Sequence, residues 1–237
     1  MVIVNKTVSL IGENKSKTFI EDGIELNTEN GNLADVQIKN LYLTGETPGS
    51  HPWQQTIGGG NNPSGLIQNL VIDDNVFDGT RNFDPNLVAP GSNTGNPTTG
   101  VGSAVFLFQG DGTFTFTNNE VKNYPHHELL YVGQNNIGFD ANSGSFTKVL
   151  IENNTFVNNN GILAVYGNSN NVTDSYVVKN NVFANAGKAN DSGWAFLEIS
   201  NADNVVIEKN KFANKGVEDN GISLMLLRSI FLEAFHL

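Results

Sequence analysis

The side chains best suited to acid–base chemistry lie near the middle of the chain, where His126, His127, Glu128 and Tyr131 fall within six residues. A histidine or a tyrosine can take a proton from a reacting carbon, and a cation can neutralise the charge that develops. Arg81 is the candidate for that cation, because the sequence has only two arginines. These residues predict cleavage of a sugar polymer by β-elimination, unless the histidines merely begin a strand and are solvated or packed.

Hydrolysis of a glycosidic bond would instead need two carboxylates, about 5–5.5 Å apart for retention and about 6.5–9.5 Å apart for inversion of configuration. Glu128 and Glu198 are candidates, since both lie on predicted strands that would face a shared groove. Asp73–Asp74 is an adjacent pair, but Glu152 and Asn153 occupy the equivalent positions of another repeat. That equivalence indicates an outward strand and bend position for the two aspartates rather than catalysis.

Binding of a sugar without cleavage requires aromatic rings, which stack on pyranose faces, and polar groups that bond to hydroxyls. Trp53, Tyr131, Tyr166 and Trp194 are the candidate substrate-binding residues. Trp53 lies in a loop-like segment and Trp194 lies just before a predicted strand, so both are expected near the surface. The competing interpretation is that either tryptophan packs beneath a loop.

Calcium is the one cofactor that the acidic turns suggest, because carboxylate and carbonyl oxygens are its usual ligands. Asp111, Asp140, Asp174 and Asp191 lie in predicted turns or loops, but they are isolated from one another in the sequence. No metal-binding motif accompanies them, and solvated aspartates are the simpler interpretation. No other cofactor is predicted.

The composition excludes several classes of protein. The 237 residues include 37 Asn, 25 Gly and no Cys, only 16% are charged, and the formal net charge is −11. Without cysteine there is no disulfide and no thiolate site, and the acidic balance argues against a nucleic-acid partner. No run of about 18 apolar residues is present, so no transmembrane helix is predicted.

A repeat built around asparagine supplies the elements that must position these side chains. Five segments align without gaps, and each has apolar residues five and three positions before a shared Asn and two positions after it. The shared residues are Asn75, Asn119, Asn154, Asn181 and Asn210. The spacing of two places the first pair of apolar side chains on one face of a strand. We interpret the Asn as a bend residue, since Asn tolerates left-handed backbone.

A second apolar strand lies beside each repeat, predicted at Ala104–Phe108, Glu128–Val132, Ile162–Tyr166, Ala195–Ile199 and Ile222–Leu226. A unit of two or three short strands cannot bury its apolar side alone, whereas stacked units can, with a rise of about 4.8 Å. The sequence thus predicts an all-β, single-stranded parallel β-helix (solenoid) of about six to eight coils. An antiparallel sandwich is the alternative, but it gives no reason for one residue type at the same point of five units.

The V-x-I-x-x-N-x-F pattern of these repeats resembles that of the right-handed parallel β-helix proteins of the pectin-lyase-like superfamily. Residues 3–23 (IVNKTVSLIGENKSKTFIEDG) are also similar to the first coil of NosD-like members. The resemblance covers the chain to about Leu226 and implies a right-handed solenoid with three parallel sheets. It does not imply one activity, because this repeat is structural and the superfamily includes lyases, hydrolases, epimerases, adhesins and tailspikes.

We expect one β-helix domain over residues 1–237, with insertions near 46–65, 79–102 and 133–145 that would border a groove. Residues 224–237 lose the Asn and Gly character and are expected to form a short amphipathic helix that caps the open end. A truncated coil and a non-native tail are the alternatives. The resemblance implies an extracellular or cell-surface location, although the chain begins without a signal-peptide pattern. The oligomeric state is not predicted.

Two functions fit these observations. The first is an extracellular carbohydrate-active protein that binds or cleaves a polysaccharide in a groove beside the insertions, as a lyase or a glycoside hydrolase if it is an enzyme. The second is a structural or adhesive surface module without chemistry. Convergence of His127, Glu128, Tyr131 and Glu198 in one cleft would favour the first, and dispersal over several faces would favour the second.

Overall fold

The computed structural model describes eleven segments of the chain, and these form short β-strands and turns with no helix among them. The described residues are 1–45, 55–59, 65–79, 103–107, 110–124, 128–132, 145–159, 162–166, 173–184, 197–213 and 224–227. An all-β chain is the expected result of the composition, because β-branched and aromatic residues alternate with polar ones between Gly and Asn turns.

Twenty-three strands are numbered along the described residues. They are β1 (Val2–Val4), β2 (Ser9–Ile11), β3 (Phe19–Ile20), β4 (Ile24–Leu26), β5 (Leu33–Ala34), β6 (Gln37–Lys39), β7 (Tyr42–Thr44), β8 (Gln55–Gly59), β9 (Ile67–Asp73), β10 (Val76–Asp78), β11 (Ser103–Leu107), β12 (Gly110–Thr117), β13 (Glu120–Lys122), β14 (Glu128–Val132), β15 (Lys148–Glu152), β16 (Thr155–Val157), β17 (Ile162–Tyr166), β18 (Thr173–Lys179), β19 (Val182–Ala184), β20 (Leu197–Ser200), β21 (Ala202–Glu208), β22 (Lys211–Ala213) and β23 (Leu224–Leu227).

The strands form three sheets in which every pairing is parallel. Sheet 1 has the order β1-β4-β8-β11-β14-β17-β20-β23, sheet 2 has the order β2-β6-β9-β12-β15-β18-β21 with β5 also paired to β9, and sheet 3 has the order β3-β7-β10-β13-β16-β19-β22. The chain therefore visits sheets 1, 2 and 3 in turn seven times, and β23 begins an eighth pass. This arrangement is consistent with a parallel β-solenoid and agrees with the predicted number of coils.

The predicted second strands are confirmed, with bounds that differ by two residues at most. The predicted insertion at residues 46–65 is wrong in part, because β8 (Gln55–Gly59) lies inside it as a full member of sheet 1. Its two glycines resemble a loop in the sequence. A methyl group on Gly59 would come within 2.5 Å of the Leu26 carbonyl oxygen, so the close approach of β4 explains why glycine is needed there.

A single core lies among the three sheets, as the repeat pattern predicts. The apolar positions three residues before the shared Asn are buried at Ile72, Phe116, Ile151 and Val178. Two residues after that Asn, rings follow one another on successive strands of sheet 3, and Phe156 and Phe183 stack with centroids 4.8 Å apart. Phe212, on the last strand of this sheet, is 40% exposed because no further described strand of the sheet covers it.

The shared asparagines form a hydrogen-bonded ladder inside the turn between sheets 2 and 3. The backbone N–H of Asn75 donates to Asn119 Oδ1 at 2.9 Å, and the same bond recurs from Asn119 to Asn154 and from Asn154 to Asn181. Each side-chain amide also donates to a strand carbonyl of the preceding coil, as Asn154 Nδ2 does to Phe116 O. The ladder satisfies buried backbone groups that the turn would otherwise leave unpaired.

The predicted backbone role of the shared Asn is wrong, because it is the residue before it that has left-handed geometry. These preceding residues all have φ between 54° and 59°, and they are Asp74, Asn118, Asn153, Asn180 and Lys209. Left-handed backbone costs an ordinary side chain about 1–2 kcal/mol, which is why Asn and Asp dominate this position. In each N-N pair, the first asparagine thus adopts the left-handed backbone of the turn, and the second forms the hydrogen-bonded ladder.

The C-terminal segment differs from the helical form of the predicted cap where it is described. Leu224–Leu227 is strand β23, which pairs in parallel with β20 and extends sheet 1. Residues 228–237 lie outside the described residues, as do most of the predicted insertions at 79–102 and 133–145. The truncated-coil alternative is therefore the one that residues 224–227 support.

Candidate functional site

One row of positions runs along the outer face of sheet 1, perpendicular to its strands. We call it the outer row, and the strand register defines it as Ile3, Glu25, Gly58, Phe106, Tyr131, Ala164, Glu198 and Met225. Its neighbours in the strands point into the core, since Leu130 and Val132 on either side of Tyr131 are buried. Successive members are about 4.8 Å apart, which is the spacing of strands in a sheet.

Phe106 and Tyr131 form an aromatic pair at the centre of the outer row. Their ring centroids are 4.4 Å apart and their planes differ by 11°, so the rings stack along the row. Phe106 is 9% exposed, whereas Tyr131 is half-buried. The next positions on either side hold Gly58 and Ala164, so the row itself places no bulky side chain beside the pair.

A glutamine covers the glycine of the outer row. A methyl group on Gly58 would come within 2.8 Å of Gln55 Cγ and Cδ, which shows that the Gln55 side chain lies over this position. The Gln55 Oε1 atom is buried and has no hydrogen-bond partner within the described part of the chain. A buried acceptor without a partner costs about 1–3 kcal/mol, so it calls for an explanation.

Charge is distributed unevenly among the three sheets. The described strands of sheet 1 contain three glutamates, Glu25, Glu128 and Glu198, and no lysine or arginine. Sheets 2 and 3 both carry lysines on their strands, for example Lys39 and Lys122. Among the described strands, those of sheet 1 thus contain glutamates without a lysine or arginine to compensate their charge.

Two residues predicted from the sequence fall on the outer row. Tyr131 and Glu198 lie two strands apart, with Ala164 between them, so their backbones are separated by about 10 Å. Glu128 is on the same sheet at a different register, opposite Ile162, and Tyr166 pairs with Ser200 at the end of β17. The catalytic and binding roles of these residues stay predictions.

The other predicted site residues lie outside the described segments. They are Trp53, Arg81, His126, His127 and Trp194.

Asp73 and Asp74, whose repeat positions disfavour catalysis, lie at the end of β9 in sheet 2 and in the turn that follows it, respectively. Asp73 Oδ1 accepts hydrogen bonds from Thr117 Oγ1 and Asn118 Nδ2, both at 2.8 Å. Asp74 forms an ion pair with Lys15 and has left-handed backbone at the turn. Both carboxylates therefore have structural partners.

The described residues contain no group of three or more acidic or histidine side chains that would hold a metal ion. Asp111 accepts a hydrogen bond from Gln68 Nε2 at 2.9 Å and another from the amide of Gly112. Asp174 lies on β18, and Asp140 and Asp191 fall outside the described segments. Calcium binding stays a prediction.

A buried phenol lies behind β8, at the end of the turn that follows β13. The hydroxyl groups of Tyr124 and Thr56 are 2.6 Å apart, and both side chains are buried. Burial raises the pKa of Tyr124 well above its usual range, and the charges of Asp78 and Tyr42 add to the effect, while the bond to Thr56 opposes it. Tyr124 therefore acts as a neutral structural group.

Comparison of the chain with protein-family models, curated proteins and solved structures found no match. The resemblance to the pectin-lyase-like superfamily thus stays an expectation from the repeat pattern. Within the described residues there is no helix of the length and apolar character that would cross a membrane.

The sequence analysis missed Glu25, Gln55, Gly58 and Phe106. The predicted strands Ala104–Phe108 and Glu128–Val132, compared from their first residues, do not align Phe106 with Tyr131, because β11 begins one residue earlier, at Ser103. An offset of one residue exchanges the two faces of a strand. An alignment anchored on the buried residues Val105 and Leu130 would have placed both rings in one row.

Proposed function

We propose that this chain is a right-handed parallel β-helix that binds a polysaccharide along the outer row of sheet 1, in an extracellular or cell-surface setting. The observation that carries the proposal is the Phe106–Tyr131 stack between Gly58 and Ala164. A sugar ring beside the stack would gain contact with an aromatic face, and the rise of the strands would let further sugars follow the row.

Polar groups on both sides of the aromatic pair support this proposal. Glu25 and Glu198 lie two positions from Phe106 and Tyr131, respectively, towards opposite ends of the row. Carbohydrate sites combine apolar faces with a few polar groups that fix the orientation of the ligand. A glycan of several sugars would therefore meet an aromatic centre and a carboxylate on each side.

Cleavage of the bound glycan is a second proposal, and it rests on the common row of Tyr131 and Glu198. Their backbones are about 10 Å apart along the row, with Ala164 between them. Tyr131 would take up the proton in an elimination, or Glu198 would contribute one carboxylate of a hydrolytic pair. A reducing-end assay on the glycan that binds tests this step. If no new reducing ends appear, the protein binds the glycan without cleaving it.

The test of binding is a glycan array followed by titration of the best oligosaccharide. Tyr131→Ala should weaken binding about tenfold or more, because it removes an aromatic ring worth about 1.4 kcal/mol of binding free energy. Phe19→Ala is the matched control, since Phe19 is an exposed ring on sheet 3, 49% accessible to solvent.

Equal losses of glycan affinity in Tyr131→Ala and Phe19→Ala would contradict a site on sheet 1. If no glycan binds, the alternative of a structural or adhesive module without a sugar site stands in its place.

A further inference from the structure

We infer that the outer row between Glu25 and Phe106 is a subsite for the protonated amino group of an amino sugar. This inference rests on the proposed function and narrows its ligand to a glycan that carries free amines. The relevant groups are the carboxylate of Glu25, the side-chain carbonyl of Gln55 and the ring of Phe106, all grouped around Gly58.

Gln55 provides the first argument. Its Oε1 atom is buried yet has no partner within the described segments, although Gln55 itself is only partly buried. A protein gains stability when such an acceptor finds a donor. A ligand that brings an N–H or O–H group to Gly58 would satisfy it.

Glu25 provides the second argument. It pairs in register with Gly58, so its carboxylate belongs to the adjacent position of the row. The only bond that Glu25 accepts within the described residues is a long one of 3.3 Å from Asn27 Nδ2. An ionised carboxylate can accept about four hydrogen bonds, which leaves most of its capacity for a ligand.

These acceptors specify the ligand's chemistry. An ammonium group has three donors and no acceptor, so it matches a carboxylate and a carbonyl at adjacent positions of the row. Phe106 is one position further along the row, and a cation within about 6 Å of an aromatic ring is attracted to its face. A polyuronate would instead bring carboxylates to strands that hold no lysine or arginine.

Space at Gly58 provides the third argument. Gly58 is buried, and a methyl group there would lie within 3.0 Å of Gln55 Cγ, Cδ and Oε1, so the Gln55 side chain occupies the space that every other position of the row gives to its own side chain. Movement of the Gln55 side chain would vacate that space.

The experiment compares three hexasaccharides of equal length: glucosamine, N-acetylglucosamine and galacturonate. Calorimetric titration of the intact chain should give binding of the glucosamine oligomer at least tenfold tighter than binding of the acetylated one, and no binding of the galacturonate. Raising the salt concentration should weaken binding of the glucosamine oligomer only, since its contact with Glu25 is ionic. Glu25→Gln should remove most of the difference in affinity between the glucosamine oligomer and the acetylated one.

Gln55→Met separates a ligand role from a structural one. Methionine has a similar length but no carbonyl, so it removes the buried acceptor. We expect the stability towards urea to be unchanged or higher. The affinity for the glucosamine oligomer should fall fivefold or more. Gln55→Glu keeps the acceptor and should increase that affinity. Gln37→Met on sheet 2 is the control and should change neither property by a comparable amount.

Three results would overturn the inference. If the acetylated oligomer or the galacturonate binds as tightly as the glucosamine oligomer while Tyr131→Ala still weakens binding, the proposed function stands and the amine subsite falls. A large loss of stability in Gln55→Met would show that Gln55 has a structural role. Absence of binding to all three oligomers and to the wider array would overturn both proposals.

Discussion

The side-chain oxygen of Asn154 accepts two hydrogen bonds from Asn119, one from its backbone N–H at 2.9 Å and one from its side-chain amide at 3.2 Å. Asn154 in turn donates to Phe116 O and to Asn181 Oδ1. One buried side chain thus connects three successive coils. The fold depends on this relationship because the backbone N–H of Asn119, which lies in the turn, has no other described acceptor.

Asn154→Ala should destabilise the protein by about 2–5 kcal/mol. The substitution leaves the buried N–H of Asn119 without a partner, which costs about 1–3 kcal/mol. It also removes the bonds that Asn154 Nδ2 donates to Phe116 O and Asn181 Oδ1, each worth about 0.5–1.5 kcal/mol. Urea unfolding measured by circular dichroism provides the value. Asn204→Ala is the control, because Asn204 is exposed and its one described bond, to Asp174 O, lies at the surface; it should cost less than about 0.5 kcal/mol. Similar losses in both variants would show that the ladder adds little.

Lys209→Asn should stabilise the protein by about 0.5–1 kcal/mol. Lys209 has φ of 55°, at the turn position where Asn118, Asn153 and Asn180 occur in the preceding coils. Asparagine adopts this conformation at a lower cost than lysine. The ion pair that would be lost, between Lys209 and Glu208 at 3.9 Å, is exposed and contributes little.

The reverse change, Asn180→Lys, should destabilise by a similar amount in the same unfolding measurement. A loss of stability in Lys209→Asn would mean that the Lys209 side chain, rather than its backbone, is what matters at this turn.

These two turn positions show what the sequence can reveal about the fold. The five aligned asparagines were visible because a solenoid repeats one environment, so each coil reports on the same structural need. The sequence did not show which residue of the N-N pair has left-handed backbone, since Asn suits both positions. Only Asp74 and Lys209, which replace the first Asn in two coils, distinguish the two positions. β8 was missed because Gly58 and Gly59 resemble a loop when the close approach of β4 is unknown.

Stability should fall at alkaline pH through Tyr124. The unfolded phenol ionises near pH 10, whereas burial raises the pKa of the folded one. Above pH 10 the unfolded state therefore binds fewer protons than the folded state, and stability falls by up to about 1.4 kcal/mol per pH unit. Below pH 10 the phenol is protonated in both the folded and the unfolded state, so Tyr124 contributes no change of stability with pH. Tyr124→Phe should flatten the decline between pH 10 and 11, as followed by urea unfolding at each pH; an unchanged slope would contradict the assignment.

The candidate site was less predictable than the fold. Tyr131 and Glu198 were visible as chemistry-bearing residues on strands, but the residue between them in the row, Ala164 rather than Val165, depends on a bulge in β14 that the sequence does not signal. Gln55 gave no sign of interest, because an unpaired acceptor is a property of packing rather than of residue type. Sequence patterns therefore indicate which elements repeat, while the register between coils decides which side chains meet.

The most direct test of the central claim is an amide chemical-shift map of the protein, recorded while it is titrated with the oligosaccharide that binds best. If the glycan lies along the outer row, the largest changes will cluster on β8, β11, β14 and β17, with Gly58, Phe106 and Tyr131 among them. Sheet 2 residues such as Val71 and Val177 will remain unchanged. Changes concentrated on sheet 2 or sheet 3, or no saturable change at all, would contradict the proposal that sheet 1 binds the glycan.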